Sequence, residues 1–263
     1  MKEKTRFARR DFLKLMGALG ASALLARFAS WSPFFHERAE ASFPQAEAPQ
    51  RRKPRWAMVI DQGRCIGCDY CTFACKAVND TAPNIYWNLV LTESGLRGGH
   101  VFLPRPCLHC QHAPCVEVCP VGATYAREDG IIVMDYNKCI GCRYCEVACP
   151  YGARYFNWKE PTEENRYVPA WGTPEVERRP RGVVEKCSFC IQRIDRGLAR
   201  GLTPGVDREA TPACVNICPV EARFFGDLND PTSKVSQLLR SRRSFRLRED
   251  LGTEPRVYYS PPS

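Results

Sequence analysis

Sixteen cysteines in four tight groups constrain the fold of this 263-residue chain more than any other feature. The spacing C-x2-C-x2-C-x3-C occurs over residues 65–75 and returns over 139–149, with Cys-Ile-Gly-Cys opening both runs. A third group spans 107–119, and the fourth is split by 23 residues between Cys190 and Cys214. The groups are Cys65, Cys68, Cys71 and Cys75; Cys107, Cys110, Cys115 and Cys119; Cys139, Cys142, Cys145 and Cys149; and Cys187, Cys190, Cys214 and Cys218.

This spacing is typical of cysteines that bind cubane iron–sulfur clusters. The run C-x2-C-x2-C-x3-C-P is the bacterial ferredoxin signature. A tight loop with a cysteine at every third position can point three thiolates at three irons of one cube. Gly67 and Gly141 allow backbone N–H groups to turn inward, where they stabilise the reduced cluster. We therefore predict four [4Fe-4S] clusters, with the fourth cysteine of each group on a helix that leads away.

Other uses of these cysteines fit the sequence less well. Disulfides would suit an oxidising compartment, but the two-residue spacings restrict pairing. Zinc binds C-x2-C pairs, but a third cysteine two residues further on is typical of ferredoxins. Covalent haem is excluded because no C-x-x-C-H occurs. His109 and His112 flank Cys110, and we expect them to support that group or lie on the surface, since it already holds four cysteines.

The first 41 residues have the pattern of an export signal. Arg9 and Arg10 precede Asp-Phe-Leu-Lys and a weakly apolar stretch over 15–29, which is the twin-arginine pattern. Ala39-Glu40-Ala41 fits a cleavage site. The alternative is an amphipathic helix lying on a membrane surface. No later stretch approaches eighteen apolar residues, so we expect a soluble mature protein, exported folded to the periplasm or the outer face of the cytoplasmic membrane.

The basic composition does not indicate a nucleic-acid partner. The formal charge is +9, and residues 1–41 account for +4 of it. Each cluster with its four thiolates carries about −2, and bound ions belong in the count, so the loaded mature chain carries about −3.

The remaining sequence suggests small elements around the cysteine groups. We predict strands at 56–60 and 131–134, a further strand within 151–156 beside a cluster, a short helix at 233–240 and an extended end at 256–259. The predicted organisation is a signal at 1–41, a linker at 42–55, a first module from 56–100 and 183–228, a second module at 101–158, a surface loop at 159–182 and a C-terminal extension at 229–263.

Five further stretches stand out: Cys139-Ile140-Gly141-Cys142-Arg143-Tyr144-Cys145, Cys149-Pro150-Tyr151-Gly152-Ala153-Arg154, Val184-Glu185-Lys186-Cys187-Ser188-Phe189-Cys190, Gly226-Asp227-Leu228-Asn229-Asp230-Pro231 and Leu251-Gly252-Thr253. With the four cysteine groups, they resemble the iron–sulfur subunits of complex molybdopterin oxidoreductases, such as dimethyl sulfoxide, polysulfide, thiosulfate and tetrathionate reductases. The resemblance covers about residues 56–259. A twin-arginine signal on this subunit is similar to tetrathionate-reductase types and to the periplasmic subunit of the Dsr membrane complex.

The resemblance implies an α+β fold of two dicluster bacterial-ferredoxin-like modules, with short strands and helices around four cubane clusters. Groups one and four would build the first module, and groups two and three the second. In paired ferredoxin motifs the fourth cysteine serves the other cluster. The implied ligand sets are Cys65, Cys68, Cys71 and Cys218; Cys187, Cys190, Cys214 and Cys75; Cys107, Cys110, Cys115 and Cys149; and Cys139, Cys142, Cys145 and Cys119.

The implied function is electron transfer between a redox partner and a multi-spanning, quinone-interacting membrane subunit. The redox partner would be a molybdopterin catalytic subunit or another redox protein of a respiratory complex. The alternatives are a freestanding periplasmic polyferredoxin and a catalytic iron–sulfur oxidoreductase. The second is disfavoured because sixteen cysteines leave no iron of four clusters without a thiolate, and no substrate-binding constellation remains.

Overall fold

A three-stranded sheet organises the part of the chain that the computed structural model describes, residues 52–94 and 99–262. Its central strand, β1 (Trp56–Asp61), pairs antiparallel with β8 (Arg223–Asp227) and parallel with β9 (Val257–Ser260). All residues of β1 are buried, as expected for a strand covered on both faces. The predicted strand at 56–60 and the extended end at 256–259 correspond to β1 and β9.

The two faces of β1 pack against different partners. Met58 and Ile60 join the large core that contains many of the cysteines. Ala57 and Val59 pack against Val235 and Leu238 of a separate helix on the other face. Alternation along the strand therefore divides a cysteine-rich interior from an ordinary apolar layer.

That separate helix, α6 (Lys234–Ser241), corresponds to the predicted helix at 233–240. Ser233 is its N-cap, and its hydroxyl accepts a hydrogen bond from the Ser236 N–H at 3.2 Å. Such a cap satisfies a backbone donor that the first turn leaves free.

Three two-stranded sheets complete the strands of the described residues. They are β2 (Asn88–Ser94) with β3 (His100–Pro106), β4 (Thr124–Ala126) with β5 (Ile132–Met134), and β6 (Tyr155–Phe156) with β7 (Val184–Glu185). The part of the first module between the first cysteine group and residue 100 contains β2, for which no strand was predicted. The expected module boundary after residue 100 therefore falls inside the β2–β3 hairpin. Of the predicted strand within 151–156, only β6 forms.

Short helices carry the third cysteine of every group. They are α1 (Tyr70–Val78), α2 (Pro114–Glu117), α3 (Tyr144–Val147) and α5 (Ala213–Asn216), whereas α4 (Ile191–Ala199) begins directly after Cys190. Single 3-10 turns occur at Arg208–Ala210 and Glu249–Leu251.

The expectation that every fourth cysteine lies on a helix is wrong for three groups. Cys119, Cys149 and Cys218 follow the ends of their short helices, and a proline follows each of them. Proline disfavours helical backbone in the residue before it, which explains why these helices stop. Cys75 alone lies within its helix, because Lys76 stands where the other groups have proline.

Lys76 has a structural role of its own. Its side chain is almost fully buried, and its Nζ donates to the carbonyls of Ala82, Pro83 and Ile85 at 2.9, 3.2 and 2.7 Å. Burial lowers the pKa of Lys76 to about 8. The ammonium thereby fixes the turn that follows α1.

The segment 159–182 contains no helix or strand, as predicted, yet it is more than a surface loop. Tyr167 is buried and stacks on Phe73 of α1, with ring centroids 5.2 Å apart. Arg179 is buried too, and its Nη2 donates to the Asn79 carbonyl at 2.5 Å. The segment therefore covers α1.

The mixture of short helices and small sheets confirms the predicted α+β class. Among the described residues, no helix combines the length and apolar character needed to span a bilayer.

The apolar layer beneath α6 gives a test of the fold that leaves the cysteines untouched. Replacing buried Leu238 with Ala should lower the free energy of unfolding by about 2–5 kcal/mol, because it leaves a cavity against β1. Lys234→Ala, an exposed change on the same helix, should alter it by less than about 0.5 kcal/mol. Denaturant titration followed by circular dichroism measures both. Equal effects of the two changes would contradict this packing.

Candidate metal centres

The structure gathers the cysteines into four clusters of thiols, which we call quartets. Each combines three cysteines of one group with the fourth cysteine of another. Quartet 1 is Cys65, Cys68, Cys71 and Cys218; quartet 2 is Cys187, Cys190, Cys214 and Cys75; quartet 3 is Cys107, Cys110, Cys115 and Cys149; quartet 4 is Cys139, Cys142, Cys145 and Cys119. In quartet 4, Cys145 lies beside Cys139 and Cys119. Cys142 is exposed, and it is counted with them because it stands between Cys139 and Cys145 in the same loop.

The position of Cys75 is the clearest sign of exchange between groups. The thiols that raise its pKa are those of Cys187, Cys190 and Cys214, and no thiol of its own group is among them. Asn79 marks the same place, since its Nδ2 donates to the sulfurs of both Cys75 and Cys190 at 3.6 Å. The structure thus brings together segments more than a hundred residues apart.

Left-handed backbone turns shape the loops that carry the first three cysteines. Gly67 and Gly141 have φ values of +71° and +69°. A Cβ at Gly141 would lie 2.2 Å from the Gly182 carbonyl oxygen, and one at Gly67 would lie 2.3 Å from the Phe102 ring. Glycine is therefore required at both positions for conformation and for space.

Burial differs between the quartets. Every thiol of quartet 2 is buried, as are all those of quartet 3 except Cys149. Quartets 1 and 4 each contain one buried thiol, Cys71 and Cys145, and Cys142 is exposed. Two quartets are therefore interior and two reach the surface.

The thiols cannot ionise together without a bound cation. Burial raises the pKa of Cys110 and of Cys214 to about 12, and neighbouring cysteines of the same quartet add to the rise. Burial and the three adjacent cysteines likewise raise the pKa of Cys75. Metal binding must offset this cost by displacing the thiol protons. Grouped, buried thiols are thus suited to iron, because thiolates are the usual ligands of such clusters.

Buried cations lie among the quartets. Burial opposes ionisation of Arg223, yet Cys71 and Cys214 raise its pKa above the usual value. Burial likewise opposes the charge of Arg154, and Cys115 and Cys145 raise its pKa. Buried positive charge of this kind compensates the negative charge of iron–sulfur clusters. The residues present therefore fit [4Fe-4S] groups in both charge and donor type.

Lys186 and a stacked ring pair lie between quartets 2 and 3. Lys186 is buried, its pKa is lowered by burial, and it lies beside Cys107 and Cys187. His109 stacks on Phe189 with ring centroids 3.7 Å apart. These contacts place the two interior quartets next to each other.

Neither histidine near Cys110 lies in a quartet. His109 is buried, its pKa is lowered by burial, and its Nδ1 accepts a hydrogen bond from the Ile132 N–H at 3.0 Å. His112 is exposed and lies 4.0 Å from Glu254. Both positions agree with the expected supporting or surface roles.

Over residues 52–94 and 99–262, no three His, Cys, Asp or Glu side chains come together closely enough to hold a single metal ion. Thiolates of a cubane bind different irons and lie further apart. The fold and the quartets together define a ferredoxin-type electron carrier.

Comparison with known proteins agrees with that class. Models of a 4Fe-4S dicluster domain match residues 99–165 and 138–222, and a model of a 4Fe-4S binding domain matches 56–77. The chain is 44% identical to the iron–sulfur cluster-binding subunit of the menaquinone reductase of Nitratidesulfovibrio vulgaris, over 79% of this chain and 89% of the relative. It is 39% identical to the iron–sulfur subunit of the arsenate respiratory reductase of a Shewanella species, over 78% and 95%. It is 37% identical to a subunit of the tetrathionate reductase of Salmonella typhimurium, over 96% and 87%.

The chain therefore belongs to the family of iron–sulfur subunits of oxidoreductase complexes that are built from 4Fe-4S dicluster domains. It is an electron-transfer subunit and not a catalytic one, and it binds 4Fe-4S clusters. The resemblance inferred from the cysteine motifs and the predicted fold of two dicluster modules are both confirmed.

Four residues that contact or neighbour the thiols were not singled out from sequence. They are Asn79, Arg154, Lys186 and Arg223. The two arginines do carry a signal, because each stands five residues after a fourth cysteine. Lys186 lies in one of the stretches that carry the resemblance, and Asn79 carries no signal that a single sequence shows.

Asn79 provides a test of one quartet. Its Oδ1 accepts from Gln192 at 3.1 Å, which orients its Nδ2 toward the sulfurs of Cys75 and Cys190. Asn79→Leu removes these N–H donors, so one cluster should become harder to reduce, by about 20–60 mV. Potentiometric titration followed by electron paramagnetic resonance (EPR) measures the shift. Asn84→Leu, an exposed change nearby, is the control, and an equal shift in both variants would contradict the assignment.

Proposed function

We propose that each quartet binds one [4Fe-4S] cluster, so that the chain holds four. The observation that carries this proposal is the position of Cys75 beside Cys187, Cys190 and Cys214. The three other quartets repeat the arrangement, with Cys218, Cys149 and Cys119 as the exchanged cysteines. When bound, the clusters supply one-electron oxidation and reduction.

The proposed quartets divide between two modules. Quartets 1 and 2 use segments 56–100 and 183–228, and quartets 3 and 4 use 101–158. In each module two cysteine groups exchange their fourth members. The thiol of Cys107 is close enough to raise the pKa of Cys187, which supports the order 1–2–3–4 with the modules meeting at quartets 2 and 3.

The outer quartets are the proposed points of entry and exit for electrons. Ile140, Tyr144 and Val147 beside quartet 4 expose 64%, 62% and 86% of their surface. Ile66 and Tyr70 beside quartet 1 are also exposed. Apolar side chains around a surface site favour a docked partner protein.

The proposed partners are a multi-spanning, quinone-interacting membrane subunit and a catalytic redox protein, either a molybdopterin subunit or one of a Dsr-type complex. Support comes from the names of relatives, one from a menaquinone reductase and another from a tetrathionate reductase. Two exposed ends suit two partners. A freestanding polyferredoxin remains the competing outcome of the partner test.

We further propose that the twin-arginine signal at 1–41 exports the loaded protein to the periplasm or the outer face of the cytoplasmic membrane. The signal and most of the 42–55 linker lie outside the described residues. Folded export suits a protein whose buried thiols must receive iron and sulfide before they meet an oxidising compartment.

The first test is stoichiometric. Anaerobically purified protein should contain about sixteen iron and sixteen acid-labile sulfide atoms per chain, because four quartets would each hold a four-iron cube. Metal and sulfide analysis on fully loaded protein measures both. About eight iron atoms, or zinc as the dominant metal, would contradict the proposal.

The second test concerns export. Replacing Arg9 and Arg10 with Lys preserves the charge, so only a receptor that reads the arginine pair would respond. The variant should stay in the cytoplasm and retain its iron. Fractionation with immunodetection measures this, and Lys2→Arg with Lys4→Arg is the control. Normal export of the double-lysine variant would rule out the signal.

The third test concerns partners. Protein purified under mild detergent at its native expression level should bring down a multi-spanning membrane subunit, which mass spectrometry identifies. The identity of any catalytic protein in the same sample shows whether the complex is a molybdopterin complex or a Dsr-type complex. Recovery only as a soluble monomer would favour the freestanding polyferredoxin.

A further inference from the structure

A short motif is repeated after two of the fourth cysteines. Cys149 begins Cys-Pro-Tyr-Gly-Ala-Arg, and Cys218 begins Cys-Pro-Val-Glu-Ala-Arg, so arginine stands five residues after each. The other fourth cysteines, Cys119 and Cys75, have Thr124 and Asp80 at that position. Under the proposed division, each module therefore contains one such arginine.

Arg154 occupies the interior of the second module. Only 3% of its surface is exposed, and it lies beside Cys115 of quartet 3 and Cys145 of quartet 4. Its Nη1 donates to Thr124 Oγ1 and Met134 Sδ, both at 3.2 Å. Its Nε and Nη2 are buried without a hydrogen-bond partner. A guanidinium is always charged, so these free donors call for acceptors at the quartets.

Arg223 occupies the equivalent place in the first module. It is equally buried and lies beside Cys71 of quartet 1 and Cys214 of quartet 2. Its Nη2 donates to Asn88 Oδ1 at 2.6 Å, and the Asn88 Nδ2 donates to Cys71 Sγ at 3.3 Å. Its Nη1 contacts Met58 Sδ at 3.8 Å.

The surroundings of Arg154 and Arg223 contain the same kinds of groups. Each guanidinium is held by one polar side chain and by a methionine sulfur from a strand that precedes a cysteine group. Each lies beside a cysteine from both quartets of its module. A single side chain thus faces two proposed cluster sites at once.

We propose that Arg154 and Arg223 are positioning residues that set the reduction potentials of both clusters in their own modules. The inference rests on the proposed assignment of clusters to quartets. Reduction adds one negative charge to a cluster, and a permanent positive charge nearby stabilises that state. Because both arginines are buried, solvent and salt screen them little.

The test uses loaded, full-length protein with Arg154→Gln and Arg223→Gln. Each change should lower both midpoint potentials of one module by at least about 59 mV, a tenfold drop in a one-electron equilibrium constant, and leave the other module unchanged. EPR-monitored redox titration gives all four potentials. Arg143→Gln is the matched control, since Arg143 follows Cys142 in quartet 4 but is exposed. Arg143→Gln should shift one midpoint potential by less than a third of the shift that Arg154→Gln causes.

Two further results decide the matter. Arg154→Lys keeps the charge and should restore most of the shift, so equal effects of Lys and Gln would overturn the inference. A shift in one cluster alone would also overturn it. If Arg154→Gln cannot hold all its iron, loss of both second-module clusters supports a shared role, and loss of one contradicts it.

Iron analysis of the unmodified protein distinguishes failure of the arginine role from failure of the four-cluster assignment. Four clusters with potentials that do not respond to the arginines would overturn only this inference. Fewer than four clusters in the unmodified protein would overturn the proposed function itself.

Discussion

Placing sixteen thiols in four quartets, two of them interior, is the constraint on which the rest of this structure depends. Neighbouring thiols in a low-dielectric interior resist ionisation, as the raised pKa values of Cys110 and Cys214 show. Bound iron removes that resistance, and cluster binding thereby becomes part of the folding free energy. Short helices and two-stranded sheets would not form a stable core alone, because many buried positions are cysteines.

Exchange of the fourth cysteine gives the fold its long-range order. Cys75 joins a segment more than a hundred residues away, and Cys218 returns to the first group. Backbone hydrogen bonds between β1 and β8 join the same two parts of the chain, because β1 precedes the first cysteine group and β8 follows Cys218. The split in the fourth group, between Cys190 and Cys214, is tolerated because both sides are fixed by the same quartet.

Much of this organisation follows from the sequence, because cysteine spacing reports metal geometry directly. Strands β1, β5 and β9 and helix α6 were predicted from the local sequence. The hairpin strand β2 was not, since Pro83 and the nearby glycines obscured its alternation. The structural role of Lys76 could not be predicted from the sequence. Its buried ammonium donates to carbonyls of a turn that comes near only in the folded chain. Asn79 and Lys186 act across segments far apart in sequence, which no local pattern records.

The central claim is that cysteine groups exchange their fourth members when the clusters bind. The most direct test is an anomalous iron map from crystals of anaerobically purified protein. The account predicts four cubic iron sites, with the Cys75 sulfur bonded to an iron of the site that Cys187, Cys190 and Cys214 also ligate. Bonding of Cys75 within the site held by Cys65, Cys68 and Cys71 would contradict it.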